Sequence, residues 1–140
     1  MSTTTDEAAQ LLLAAWKGAT RINGLPSRCR PADLDQGYAI QDALLLATGE
    51  ALGGHKIAAT SLAGQQHIGI THPITGGLLS SQIRSPGAQV SLSGNQMCAA
   101  EAEFVFEFKA RVSPRSTQYS TVEVLQAVGA LRLGIEIPDS

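Results

Sequence analysis

The chain has 140 residues, enough for one small domain with its own core. Hydrophobic residues make up 44% and charged residues 16%, which excludes a chain disordered by composition. A net charge of −2 without any basic run excludes the electrostatic footprint of a nucleic-acid or membrane-surface binder.

The longest apolar run, residues 11–16, is far too short to cross a bilayer, and residues 1–7 lack the basic segment that opens a secretory signal. Cys29 and Cys98 lack metal-type spacing and are read as reduced, structural thiols. A cytoplasmic protein is expected.

Residues 5–19 read as a helix, with Asp6 and Glu7 in its first turn and Leu12, Trp16 and Ala19, flanked by Leu13, as its buried stripe. Gly24 and Pro26 break the chain. Pro31 is then placed to open a second helix, packing through Leu34, Tyr38, Gln41 and Leu45 and ending near Gly49. Residues 49–56 resemble a phosphate-binding loop only loosely. His55 separates glycine from lysine, and a β-branched, strand-like segment follows where that motif needs a helix. Residues 53–61 read instead as a turn entering a strand.

A short helix is expected over 62–68, closed by Gly69, then a loop over 72–77 and a strand over 78–83. Residues 89–92 suggest another short strand before a turn at 93–95. After a polar loop over 113–120, Val122, Leu125, Val128 and Leu131 fall at helical spacing, with Thr121 as N-cap. Helices first and strands later indicate an α+β chain, helical over 1–50 and β-rich over 51–140, with no internal repeat.

The stretch from Ala99 to Lys109 is the best-patterned part of the sequence. Side chains alternate along a strand, so Ala102, Phe104, Phe106 and Phe108 share one face, which takes all three phenylalanines of the chain. That stripe is expected to face a core. Glu101, Glu103, Val105, Glu107 and Lys109 share the other face. Neighbouring carboxylates on one strand face usually form a solvated surface, and Glu107 and Lys109 fit that description. Glu101 and Glu103 sit closer to a metal pattern, because carboxylates held together repel unless a cation or proton lies between them. All-oxygen donors suit a hard ion such as Mg²⁺ or Mn²⁺. Glu136, flanked by Ile135 and Ile137 in a second apolar strand, is the candidate third ligand. His55, His67 and His72 lack surroundings that suggest an imidazole site. The sequence stops just after that apolar strand, which reads as an incomplete fold whose isolated form would expose apolar surface.

Four segments, in order and at suitable spacing, then resemble one known group: residues 54–61 (Gly-His-Lys-Ile-Ala-Ala-Thr-Ser), 73–79, 101–104 (Glu-Ala-Glu-Phe) and 134–140 (Gly-Ile-Glu-Ile-Pro-Asp-Ser). Together they are similar to the 2-keto-4-pentenoate hydratases and 4-oxalocrotonate decarboxylases of the fumarylacetoacetate hydrolase superfamily. The resemblance implies a mixed β-roll of which this chain is the N-terminal portion. It implies Mg²⁺ or Mn²⁺ held by Glu101, Glu103 and Glu136, a catalytic Lys56, and substrate contacts from His55, Ser61 and Leu79. The expected substrate is a small 2-oxo or 2-hydroxy dienoate acid, and the full-length form is expected to be a homo-oligomer without nucleic-acid or membrane partners. The implied reaction adds water to a 2-hydroxy-2,4-dienoate in aromatic-compound catabolism. Decarboxylation of a 4-oxalocrotonate-like acid on the same scaffold, or an inactive fragment, are the alternatives. Two departures stand out: residues 73–76 (Pro-Ile-Thr-Gly) lack the acid the group often carries there, and Ala58 replaces its usual glycine.

Overall fold

A computed structural model describes residues 3–138, so Asp139 and Ser140 of the C-terminal motif lie outside it. The elements are α1 (Thr4–Lys17), α2 (Leu34–Thr48), β1 (Leu52–Ala58), α3 (Leu62–Ile68), β2 (Ile74–Leu79), β3 (Glu101–Phe108), α4 (Thr121–Ala127) and β4 (Val128–Glu136), with 3-10 turns at Ser27–Cys29 and Ser80–Gln82. The chain is α+β, and its described strands form two separate two-stranded antiparallel sheets, β1–β2 and β3–β4. It divides into two compact units, one running to Gln89 and the other starting at Val90. The β1–β2 pair therefore belongs with the helices rather than with the later strands.

In the first unit, α1 starts at a capping box in which Thr3 accepts from the Asp6 amide and Asp6 accepts from the Thr3 amide, both at 3.1 Å. Its buried residues are Ala8, Ala9 and Leu13; Ala8 packs with Cys29 and Ile40, and Leu12 and Leu25 lie against them. This corrects the expected stripe, since Trp16 is 46% exposed and Ala19 lies beyond the helix in a left-handed conformation (φ 47°). Small alanines let α1 approach α2 closely, and a tryptophan has no room there. The start of α2 is also shifted. Asp33, not Pro31, governs it, accepting from the Gln36 amide at 2.9 Å, and Gly49 closes it in the left-handed region.

The face of α2 that carries Tyr38, Gln41 and Leu45 meets β2. Gln41 Nε2 donates to Thr75 O (3.2 Å), Gln41 Oε1 accepts from Gly77 N (2.9 Å), and Tyr38 Oη accepts from Thr75 N (3.2 Å). These side chains satisfy the strand edge that no third strand pairs. A Cβ on Gly77 would lie 2.5 Å from Leu45 Cδ1, so the bare backbone is what allows the helix to sit so close. This is why β2 begins at Ile74, within the segment expected to be a loop. Residues 80–83, expected to continue a strand, instead make a 3-10 turn followed by extended Ile83.

In the second unit, residues 89–92 form no strand, and α4 is shorter than expected. Ser120, not Thr121, is the cap, and the chain leaves the helix at Val128 to pair with β3. The phenylalanine stripe is the largest correction. Phe104, Phe106 and Phe108 are 71%, 52% and 51% exposed, because among the described residues no element of their own unit covers that face of the ribbon.

Candidate metal centre

The register of the β3–β4 ribbon decides where the acids go. Glu101 pairs directly with Glu136, and Glu103 lies opposite Gly134 one step further along the same face. An oxygen from each of Glu101, Glu103 and Glu136 lies within 4.8 Å of the others, and among the described residues this is the group of acids, histidines or cysteines so placed. Glu101 is exposed and the other two half-buried, with Glu136 Oε2 shut off from solvent.

Two residues that sequence reasoning passed over shape this end of the ribbon. Gly134 is one: a Cβ there would lie 2.8 Å from Val105 Cγ2, so any side chain would push into the surface shared by Glu103 and Glu136. Asn95, read only as a turn residue, is the other. Its Nδ2 donates to Pro138 O (2.9 Å) and its Oδ1 accepts from Cys98 N (2.6 Å), which ties the approach to β3 to the exit of β4. Cys98 itself is exposed and held at φ 46°, whereas Cys29 is a buried core residue. An Asn beside a Gly signals a turn, and nothing local announces a bond 43 residues away.

Further along the acid face, Glu107 is joined to Arg132 at 2.5 Å, and that guanidinium holds its carboxyl below the usual range. Glu107 is thus committed to an ion pair, in line with its reading as surface. At the metal-directed end, Glu136 and Gly134 of β4 lie opposite Glu101 and Glu103. The three carboxylates there form a hard, all-oxygen donor set. An ion about 2.0–2.6 Å from each oxygen can bridge donors roughly twice that distance apart, so the trio fits a divalent cation.

The remaining predicted site residues belong to the first unit. Lys56 is half-buried in β1 opposite Gly76, and His55 is exposed on the strand's other face. Ser61 caps α3 by accepting from Gly64 N at 3.1 Å, and Leu79 is 2% exposed in the core at the end of β2. Both therefore have structural roles in this unit.

No protein-family model matches the chain. The chain is 32% identical over 139 residues to "2-keto-4-pentenoate hydratase 1" of Dechloromonas aromatica, which covers 97% of this chain and 52% of that protein. It is 31% identical over 138 residues to "2-keto-4-pentenoate hydratase 2" of the same organism, covering 96% and 52%. It is 30% identical over 103 residues to "TodF product hydratase" of Pseudomonas putida, covering 71% and 38%. The chain is a relative of the 2-keto-4-pentenoate hydratases. It spans about half the length of these hydratases or less. No helix among the described residues is long and apolar enough to cross a membrane.

Proposed function

We propose that this chain carries the metal-binding part of a hydratase that adds water to a 2-hydroxy-2,4-dienoate in aromatic-compound catabolism, on a fumarylacetoacetate hydrolase-type fold. The convergence of Glu101, Glu103 and Glu136 on one ribbon face is the observation that carries the reading. The similarity to hydratases along nearly the whole chain supports it. Mg²⁺ or Mn²⁺ held there would supply Lewis acidity toward the substrate carboxylate and C2 oxygen. The three glutamates would hold the ion. Lys56 Nζ moves the proton of the dienol-to-ketone tautomerisation. Water then adds across the conjugated bond, so that 2-hydroxypenta-2,4-dienoate and H₂O give 4-hydroxy-2-oxopentanoate. His55 lines the substrate pocket, and the native protein is a cytoplasmic homo-oligomer.

Absence of an acid from residues 73–76 favours a second reading, decarboxylation of a 4-oxalocrotonate-like acid. Both are tested on the purified native gene product with Mn²⁺, following loss of dienoate absorbance and CO₂ release in parallel. Glu136→Gln is expected to weaken Mn²⁺ binding by about tenfold or more. Lys56→Met should abolish turnover while leaving Mn²⁺ affinity and melting temperature unchanged. Wild-type Mn²⁺ affinity in Glu136→Gln, or wild-type turnover in Lys56→Met, would remove the corresponding role.

A further inference from the structure

The three carboxylates converge at the end of the β3–β4 ribbon where its ladder stops. Glu101 and Glu136 form the last rung, and Glu103 follows one step inward on the same face. Without a cation between them, carboxylates whose oxygens lie within 4.8 Å of one another repel. The least costly relief is for the two strand ends to splay, because a two-stranded ribbon is only marginally stable and opens locally from its ends. Convergence of the acids therefore needs a contact that opposes fraying at this end.

Asn95 supplies one. Its Nδ2 donates to Pro138 O at 2.9 Å, two residues beyond Glu136, and its Oδ1 accepts from Cys98 N at 2.6 Å, three residues before Glu101. Asn95 is half-buried, and its backbone is fixed as well. Asn95 N donates to Leu92 O (3.0 Å), and Asn95 O accepts from Cys98 Sγ (3.2 Å). Pro138 has no N–H with which to extend the ladder, and its carbonyl takes a hydrogen bond from this side chain instead. A primary amide suits the position, since it donates to one strand and accepts from the other without adding charge beside the acids.

We propose that Asn95 is a positioning residue of the metal centre: it latches the approach to β3 onto the exit of β4 and so holds Glu101, Glu103 and Glu136 converged before an ion arrives. The proposal rests on the reading of that trio as a cation site. An ion that meets carboxylates already gathered does not have to close the ribbon as it binds, which favours affinity. Both polar atoms of the Asn95 amide are engaged with backbone, so it acts through the two strands and not as a ligand.

Two substitutions test the latch on the metal-free native gene product. Asn95→Ala removes both side-chain bonds. Asn95→Asp keeps the acceptor for Cys98 N and removes only the donor to Pro138 O, and its added negative charge by itself favours a cation. Both are expected to weaken Mn²⁺ binding by about tenfold or more, read from the electron spin resonance of free Mn²⁺. Without metal, both should speed amide hydrogen exchange over residues 101–103 and 134–136, while exchange over β1–β2 stays at the wild-type rate. Saturating Mn²⁺ should restore protection at the ribbon end. Unchanged exchange there in both variants would overturn the proposal. So would wild-type Mn²⁺ affinity in Asn95→Asp, which would leave Asn95 as a turn residue only, or an equal acceleration in β1–β2, which would mean general destabilisation. A wild-type protein that binds no Mn²⁺ would instead overturn the cation reading, and exchange in the metal-free protein would still decide the latch.

Discussion

The molecule contains the same device twice, a two-stranded antiparallel ribbon, with opposite outcomes. In β1–β2 the strand edge is met by Gln41 and Tyr38, bare Gly77 admits Leu45, and Leu79 ends 2% exposed. In β3–β4 the pattern of alternation is cleaner, yet Phe104, Phe106, Phe108, Leu131, Leu133 and Ile135 are all at least half exposed. A two-stranded ribbon buries little by itself and takes its stability from what lies against it. The difference therefore lies in α2, a helix that reaches across to the first ribbon. Alternation specifies which face is apolar, and a separate element decides whether that face is dry.

The contrast is broken most directly by truncating one leucine in each ribbon. Leu79→Ala should destabilise the first unit by about 2–4 kcal/mol in urea unfolding, as expected for a buried leucine. Leu133→Ala should change stability by no more than about 0.5 kcal/mol. Equal effects of the two would mean that the apolar face of the second ribbon is covered.

A smaller effect tests the clamp that distinguishes the first ribbon. Gln41→Leu leaves Thr75 O and Gly77 N without their side-chain partners and should cost about 1–3 kcal/mol. Amide hydrogen exchange at Gly77 should accelerate, while exchange in β3–β4 should not. Unchanged protection at Gly77 would show that packing alone holds β2.

The smallest effect concerns the charge network that caps α4, before the second ribbon. Arg115 donates to both oxygens of Glu123, at 2.8 and 2.9 Å, and stacks 3.5 Å above the Tyr119 ring. That guanidinium first, and then the hydrogen bonds from Ser120, hold the Glu123 carboxyl down from 4.5 to about 2. Its folded value lies below its unfolded one. The stabilisation is therefore present above about pH 4.5 and lost as pH falls toward about 2. Carboxyl NMR should show Glu123 titrating well below the usual carboxylate range, and Glu123→Gln should flatten the stability profile across that window.

Legibility in the sequence followed the range of the interactions concerned. The helix over Leu62–Ile68 and its Gly69 stop depend on neighbours within one turn, and they are where the sequence places them. The shared face of Glu101 and Glu103 follows from strand period alone, and that of Glu136 needs only an antiparallel partner in register. The errors arise where distant groups decide. Val122, Leu125 and Val128 satisfy a helical period, but pairing with Phe108 draws Val128 into β4, and Gly129 disfavours helix at the same point. Gly77 reads as a loop residue because Leu45 of α2, which makes use of its bareness, lies some thirty residues earlier. Periodicity reports the face that the phenylalanines share and not its cover, and only the expectation that an incomplete fold exposes apolar surface pointed to their exposure.

The two-faced ribbon also bears on how reliably β4 finds its alignment. Sliding β4 by one residue would swap its faces, sending Glu136 among the phenylalanines and Leu133 toward the acids. The apolar pairs oppose that slip, but the correct alignment is also the one that crowds three carboxylates together. Folding without a divalent ion thus sets hydrophobic pairing against charge repulsion at the end of the ribbon. A bound cation would turn that repulsion into attraction, making the glutamates a key that admits only one alignment.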